Sequence, residues 1–223
     1  MGEYDILLEL TELRGRRVAD VGCGRGELVR FLRAHGAEPV GVECGEGQLN
    51  AARKADPDHA ESYLYGVGQD LPLEDRSMDM VTFSFSLHHV PSAQMDQALA
   101  ETYRVLVPGG EAFFMEPKAE GPSFELDRLV DDETEVRARA QDALGRAGTH
   151  GFEHVTTRDY ETEYTYRDPD AFIEMMVGVD PARKAIVAEV GGRLEDAFNR
   201  GGVPVEGGRS FAQPNSVVVL RRP

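Results

Sequence analysis

Apolar and polar residues follow two spacings in the first part of the chain, and together these spacings predict alternating strands and helices. Short apolar runs that end near an acid predict buried strands over RRVADVG (16–22) and EPVGVE (38–43). Apolar residues at helical spacing predict helices over ELVRFLRAHG (27–36) and EGQLNAARKA (46–55), and a short helix over 3–13 before the first strand.

The same alternation continues to residue 117. Further strands are predicted over 62–68, 78–86 and 111–117, with a helix over 92–106 and a turn at VPGG (107–110). Strands that alternate with helices form mostly parallel sheets, and ligands bind such sheets at the carboxyl ends of the strands. The predicted fold is therefore α/β with a mostly parallel sheet, and the functional residues are expected along one edge of that sheet.

After Pro117 the pattern changes. Residues 123–148 are predicted to be mainly helical, 159–167 to form a strand, and two helices to follow near 169–177 and 181–200. The final apolar run, SVVVLRR (216–222), is predicted to join the same sheet, because an isolated strand would leave its backbone hydrogen-bonding groups unmatched.

Composition narrows the possible partners. With 223 residues the chain has the size of one α/β domain, and its net charge of -16 would repel the phosphates of nucleic acid. No signal peptide and no apolar run of about 18 residues is apparent, so we expect a cytoplasmic protein with no membrane partner. Neither Cys23 nor Cys44 lies in a metal-binding spacing, so we interpret both as small packed residues and expect no metal.

The most informative stretch is VADVGCGRG (18–26). Glycines at 22, 24 and 26 allow a sharp turn out of the strand and bring backbone against a ligand where a side chain would collide. The dinucleotide fingerprint has its third glycine one position later, at Glu27, so a nicotinamide oxidoreductase is a weaker alternative. Asp20 favours a cationic ligand such as S-adenosylmethionine, which carries an ammonium and a sulfonium.

A second acid fits the same ligand. Glu43 ends the second predicted strand, 23 residues beyond Asp20, where a carboxylate can accept both ribose hydroxyls. Binders of NAD share this feature, so it indicates a ribose and does not choose the cofactor.

The chain resembles the class I S-adenosylmethionine-dependent methyltransferases, in particular the small-molecule group that includes ubiquinone-biosynthesis-type enzymes. Four segments carry the resemblance in the family's order: VADVGCGRGELVRFL, VGVECGEGQLNAAR, LPLEDRSMDMVTFSFSLHHV and RVLVPGGEAFFMEP. The resemblance implies an α/β, Rossmann-like fold with a seven-stranded sheet and helices on both of its faces. It also implies a single domain over 1–223, with residues about 118–158 as an added helical cover or lid after the fifth strand.

The resemblance also implies which residues hold S-adenosylmethionine. The backbone around Asp20 and Gly22 would receive the methionine part, and Glu43 the ribose. Val67 stands where the family often has an aspartate that binds adenine, so neighbouring residues would replace it. The full cofactor set is Asp20, Gly22, Cys23, Gly24, Glu43, Cys44, Gly68, Gln69, Asp70 and Ser84.

Methyl transfer from a sulfonium needs mainly alignment, with a general base where the acceptor must lose a proton. Candidates for the base are His89 and His88 in LHHV, and Glu116 at the end of the fifth strand; each also has an ordinary structural interpretation.

Two further patterns each have two interpretations. The acids Asp131, Asp132, Glu133 and Glu135 could line a lid over a cationic acceptor or stabilise a helix start. Tyr160, Tyr164 and Tyr166 share a strand face and could form an amine cage or pack in a core.

The predicted function is transfer of a methyl group from S-adenosylmethionine to a small-molecule acceptor, with the O, N, S or C nucleophile left open. The alternative is an S-adenosylmethionine-binding regulatory or partner protein without methyl transfer. A non-methyl use of the sulfonium, such as cyclisation or decarboxylation, also remains possible on this scaffold, and a homodimer is a possible assembly.

Overall fold

A computed structural model describes residues 4–223 of the chain. The α-helices are α1 (Asp5–Leu10), α2 (Glu27–Ala34), α3 (Glu46–Ala55), α4 (Met95–Val105), α5 (Pro122–Asp127), α6 (Thr134–Gly145), α7 (Pro169–Val179), α8 (Arg183–Val190) and α9 (Gly192–Gly201). The strands are β1 (Arg17–Val21), β2 (Glu38–Glu43), β3 (Tyr63–Tyr65), β4 (Met78–Ser84), β5 (Leu106–Pro117), β6 (Glu153–Tyr166), β7 (Val203–Val205) and β8 (Gly208–Arg221).

One sheet contains all of these strands, in the order β3-β2-β1-β4-β5-β8-β6, with β7 paired to β8. The four pairings among β1 to β5 are parallel, as the alternation of strands and helices predicts. The predicted count of seven strands is too low by one, because the three-residue β7 forms an antiparallel hairpin with the start of β8 that the sequence pattern did not indicate.

The chain divides into two compact units. The first comprises Met1–Glu116, Arg139–Arg158 and Ser216–Pro223. Its core contains the apolar run of β4 and its neighbours on β5, and the rings of Phe83 and Phe114 stack with centroids 5.0 Å apart. Residues 80–83 are all completely buried, as expected for a strand in the middle of a parallel sheet.

The second unit comprises Pro117–Ala138 and Asp159–Asn215 and has a core of its own. Phe172 of α7, Phe198 of α9 and Phe211 of β8 are buried together in it. Helix α6 and strands β6 and β8 each contribute residues to both units. The helical cover expected at 118–158 stays a prediction.

Several predicted boundaries differ from the structure. The helix expected over 181–200 is two helices, because Gly191 between α8 and α9 adopts a left-handed φ of 53°. The VPGG turn lies inside β5 as an irregularity: Met78 pairs with Leu106, but Met80 pairs with Glu111. Strands β6 and β8 begin earlier than predicted. The start of β6 was not predicted because its first six residues are mostly exposed and show little apolar alternation.

Within residues 4–223, no helix combines the length and the apolar character needed to cross a membrane.

Candidate active site

The predicted site residues of the first unit converge on one edge of the sheet. Asp20, Glu43, Ser84 and Glu116 lie at or near the carboxyl ends of β1, β2, β4 and β5. Strand β1 pairs with both β2 and β4 in parallel, and Asp20 is level with Thr82 of β4. Neighbouring parallel strands bring these ends together, which explains how residues far apart in sequence form one edge.

The glycine loop after β1 turns tightly against the loop after β4. Gly22, Gly24 and Gly26 have φ angles of 75°, 53° and 75°, a region that side chains disfavour. A Cβ on Gly22 would lie 2.5 Å from the Cβ of Ser86, whose hydroxyl donates to the Val21 carbonyl oxygen at 2.6 Å. Position 22 therefore has no room for a side chain.

Asp20 is buried at the centre of this edge, with 1 % of its surface exposed. Its Oδ1 accepts a hydrogen bond from the Thr82 hydroxyl at 3.1 Å. Burial raises the pKa of Asp20 to about 7, and the charge of Glu43 adds to the shift. Because burial makes ionisation of Asp20 unfavourable, a nearby cation would stabilise its carboxylate. This property fits a ligand with an ammonium group.

Glu43 holds two loops in place. One carboxylate oxygen accepts from the backbone N–H of Gly24 at 2.8 Å, and the other from the N–H of Gly45 at 2.6 Å. Each carboxylate oxygen has a second acceptor position, so the same side chain can also accept ribose hydroxyls. The sequence predicted the ribose role and did not predict that Glu43 ties the glycine loop to the start of α3.

The two cysteines have different surroundings. Cys23 is buried beside Val29 and Leu49, and burial raises the pKa of its thiol. Cys44 is exposed, and partial burial and Glu43 raise its pKa as well. Raised pKa values disfavour the reactive thiolate at both positions. The packing interpretation is confirmed for Cys23 and is wrong for Cys44, which is exposed.

The loop after β3 places the three residues expected near adenine. Val67 and Asp70 form an isolated antiparallel bridge, with the N–H of Asp70 donating to the Val67 carbonyl oxygen at 3.1 Å. Gln69 Nε2 donates to Gln94 Oε1 at 3.0 Å, and Gly68 is buried near the side chain of Phe83. Their roles in binding adenine stay predictions.

His88 and Glu116 form a buried pair. His88 Nδ1 lies 2.5 Å from Glu116 Oε2, while Glu116 Oε1 accepts from the N–H of Leu87 at 2.9 Å. The side chains of His88 and Glu116 are 3 % and 1 % exposed, whereas His89 is exposed with its ring centroid 4.1 Å from that of His88. A carboxylate on Nδ1 favours the tautomer with its proton there, which leaves the lone pair on Nε2.

Two acids of the segment 131–135 make local contacts at the start of α6. Asp132 Oδ1 accepts from the backbone N–H of Thr134 at the start of α6. Glu133 pairs with Arg137 one turn later at 2.8 Å, and Asp131 pairs with Arg183 at 2.5 Å. The contacts of Asp132 and Glu133 support the helix-start interpretation.

The predicted tyrosine face is formed as expected. Even-numbered positions from 160 to 166 of β6 are at least partly buried, and odd-numbered positions 159 to 165 are exposed. Tyr166 packs against Phe172 and Phe211, with ring centroids 5.3 and 5.9 Å away. Tyr166 thus belongs to the core of the second unit, in agreement with the packing interpretation.

Sequence reasoning missed Thr82 and Ser86, which hold Asp20 and the glycine loop. Their only sequence signal is that they lie in and just after the fourth predicted strand. Their hydrogen bonds to Asp20 and to the Val21 carbonyl depend on the register between β1 and β4, which the sequence does not show.

The chain is similar to known methyltransferases over its first half. The methyltransferase domain family matches residues 19–114. The chain is 38% identical over 113 residues to the ubiquinone/menaquinone biosynthesis C-methyltransferase UbiE of Dinoroseobacter shibae, covering 48% of this chain and 44% of the relative. It is 35% identical over 113 residues to the ubiquinone biosynthesis O-methyltransferase of Hahella chejuensis, covering 49% and 47%.

The chain spans about half the length of the curated relatives that it matches. Among solved structures, an S-adenosylmethionine dependent methyltransferase from Mesorhizobium loti aligns with a TM-score of 0.57 at 19% identity, covering 99% of this chain and 98% of that one. This likeness shows a shared fold over nearly the whole chain.

Proposed function

We propose that the chain is a methyltransferase that transfers a methyl group from S-adenosylmethionine to a small-molecule acceptor, and the match of residues 19–114 to the methyltransferase domain family supports this proposal. The observation that carries the proposal is the edge formed by the glycine loop, Asp20 and Glu43. The edge holds a turn that has no room for a side chain at Gly22 and the buried carboxylate of Asp20. Glu43, whose carboxylate can accept ribose hydroxyls, lies on the adjacent strand.

The residues present fit the proposed cofactor. Asp20 supplies negative charge for the ammonium of the methionine part, and the bare loop supplies backbone groups. Glu43 supplies acceptor positions for the ribose, and we assign the adenine to Gly68, Gln69 and Asp70. The remaining members of the proposed set are Gly22, Cys23, Gly24, Cys44 and Ser84. S-adenosylmethionine, when bound, supplies a methyl group activated by the positive charge on sulfur.

We assign proton removal from the acceptor to the LHHV segment. The Glu116 carboxylate orients the ring of His88 through Nδ1, and the N–H of Leu87 fixes Glu116 in turn. Such an arrangement fixes the orientation and the tautomer of the His88 ring. His89 is the second candidate, because its exposed ring is adjacent.

The acceptor is proposed to be a small molecule in the cytoplasm. The net charge of -16 disfavours nucleic acid as a substrate. The residues that select the acceptor are proposed to lie in 1–15 and 118–180, which include the predicted cover at 118–158 of a single domain. The proposed assembly is a homodimer.

Cofactor binding is tested first, by isothermal titration with S-adenosylmethionine and S-adenosylhomocysteine. We expect saturable binding by the natural chain and loss of binding in Gly22→Ala, which places a Cβ against Ser86. Gly47→Ala is the matched control, because a Cβ there meets nothing within 4 Å. Absence of binding by the natural chain at millimolar concentrations would refute the proposal.

Turnover separates the enzyme from a cofactor-binding protein without activity. Release of S-adenosylhomocysteine is measured with panels of phenols, quinols, amines and carboxylates. Release that depends on an acceptor supports a transferase, and binding with no release across these panels favours the regulatory alternative.

A further inference from the structure

A fully buried tyrosine lies directly against the glycine loop. Tyr63, the first residue of β3, is 0 % exposed and packs with Cys23 of the loop and with Leu49 and Ala52 of α3. Its backbone carbonyl oxygen accepts from Arg53 Nη2 at 2.7 Å. The ring therefore contacts both the cofactor loop and the helix that follows Glu43.

The contact with the loop is closest at Gly26. A Cβ on Gly26 would lie 2.5 Å from Cε1 and 2.8 Å from the hydroxyl oxygen of Tyr63. The N–H of Gly26 donates to the Cys23 carbonyl oxygen at 2.8 Å, which closes the loop as α2 begins. The hydroxyl end of the Tyr63 ring thus packs directly against Gly26, the last glycine of the loop.

That hydroxyl is fixed by a charged cluster. The Tyr63 hydroxyl donates to Asp56 Oδ2 at 2.9 Å, and Asp56 also pairs with Arg33 of α2 and with His59 Nδ1 at 2.9 Å. Burial works against ionisation of Asp56, but the hydrogen bonds from His59 and Tyr63 and the charge of Arg33 hold its pKa below its usual value. Asp56 is therefore a charged acceptor, which makes a strong hydrogen bond.

We propose that Tyr63 is a positioning residue for the cofactor, and that its hydroxyl, anchored by Asp56, sets the conformation of the glycine loop. The inference rests on the proposed function, since it takes the loop to be the cofactor site. Tyr63 acts on the cofactor through Gly26 and does not itself contact cofactor or acceptor. Nothing in the sequence pattern marks position 63 for this role, because an aromatic residue in a buried strand is ordinary.

The test removes the anchor and keeps the ring. In Tyr63→Phe we expect the dissociation constant for S-adenosylhomocysteine and the KM for S-adenosylmethionine to rise about tenfold or more, from the lower end of the range for one hydrogen bond to a charged group, with kcat nearly unchanged. Asp56→Ala removes the same bond from the other side and serves if Tyr63→Phe fails to fold. The double variant should weaken binding by less than the product of the two single effects.

A readout without ligand tests the loop directly. Hydrogen exchange of the backbone amides of residues 22–30 should be faster in Tyr63→Phe than in the natural chain. Tyr103→Phe is the matched control: this tyrosine packs on Phe152 and Arg222, and its substitution should leave binding and loop exchange unchanged.

The outcomes separate the two proposals. If the natural chain binds neither cofactor nor product, the proposed function fails. If the natural chain binds and Tyr63→Phe binds equally well with unchanged loop exchange, the positioning role is wrong. A lower melting temperature with unchanged affinity shows a purely structural role and also overturns the inference.

Discussion

At the scale of single residues, Asp20 combines burial with a negative charge that the fold does little to offset. The Thr82 hydroxyl donates a hydrogen bond to Asp20 Oδ1, and burial raises the pKa of Asp20 to about 7. Below the unfolded pKa of about 4, both states are protonated. Between about pH 4 and about pH 7, Asp20 is ionised in the unfolded chain but still protonated in the folded chain, so the free energy of unfolding falls as the pH rises. Above about pH 7 the whole of this destabilisation is present.

Asp20→Asn should therefore stabilise the folded chain while removing cofactor binding. We expect a gain of up to about 4 kcal/mol at pH 8, because the shift is roughly three pKa units, and almost no gain near pH 4. Urea unfolding at both pH values measures the gain, and titration calorimetry measures the loss of binding.

The control is Asp79→Asn, where the effect should have the opposite sign. A hydrogen bond from Arg17 holds the pKa of Asp79 below its usual value, so its contribution is present at neutral pH and lost as the pH falls. Equal stability of Asp20→Asn and the natural chain at pH 8 would contradict the account of Asp20.

At the scale of elements, the sequence predicts the alternating half of the chain well. The bounds of β2 and α3 agree with prediction at both ends, because an apolar run or a clear helical spacing marks them. The later elements depend on tertiary contacts. The start of β6 has few apolar residues, and the break at Gly191 shows only as a glycine pair inside a helical pattern.

The candidate site likewise has features that the sequence predicts and features that it does not. The position of each acid could be predicted from the strand ends, since parallel strands collect their carboxyl ends. The pairing of His88 with Glu116 and the two-loop role of Glu43 could not, because both depend on the register between strands and on side-chain direction.

The end of α4 depends on a residue near the chain terminus. Arg222 donates through Nη1 to the carbonyl oxygens of Tyr103 and Leu106 at 2.7 and 2.8 Å, and its guanidinium lies 4.4 Å from the centre of the Tyr103 ring. The last carbonyls of a helix lack partners within the helix, so this side chain caps α4.

Arg222→Ala should lower the free energy of unfolding by about 2–3 kcal/mol, as expected for buried hydrogen bonds to a charged group. Arg222→Lys should recover only part, because an ammonium lacks the planar set of donors. Urea unfolding measures both. In the control Arg221→Ala, whose ion pair with Glu111 is partly exposed, the loss should stay below about 1 kcal/mol, and a loss as large as that of Arg222→Ala would contradict the capping role.

At the scale of the whole molecule, the net charge of -16 bears on how a charged ligand arrives. S-adenosylmethionine has one more positive charge than S-adenosylhomocysteine, so the field of the protein attracts it more strongly. Salt screens this attraction, with a Debye length of about 10 Å at 0.1 M.

The association rate of S-adenosylmethionine should therefore fall severalfold between about 20 mM and 500 mM salt, while that of S-adenosylhomocysteine changes little. Stopped-flow measurements of both ligands give the comparison. Equal salt dependence for the two would show that the field of the protein does not steer the donor.

The second unit is built from two separate stretches, 117–138 and 159–215, and residues 139–158 between them belong to the first. A chimera that borrows this unit from another homologue must therefore transplant both stretches at once. Phe172 and Phe211 come from the later stretch and Leu126 from the earlier one, yet all three lie in one core. A hybrid with one crossover between the stretches would combine core residues from two different proteins that do not pack together. Recombination at one junction is thus a poor route to new variants of this protein, and paired exchange is the productive one.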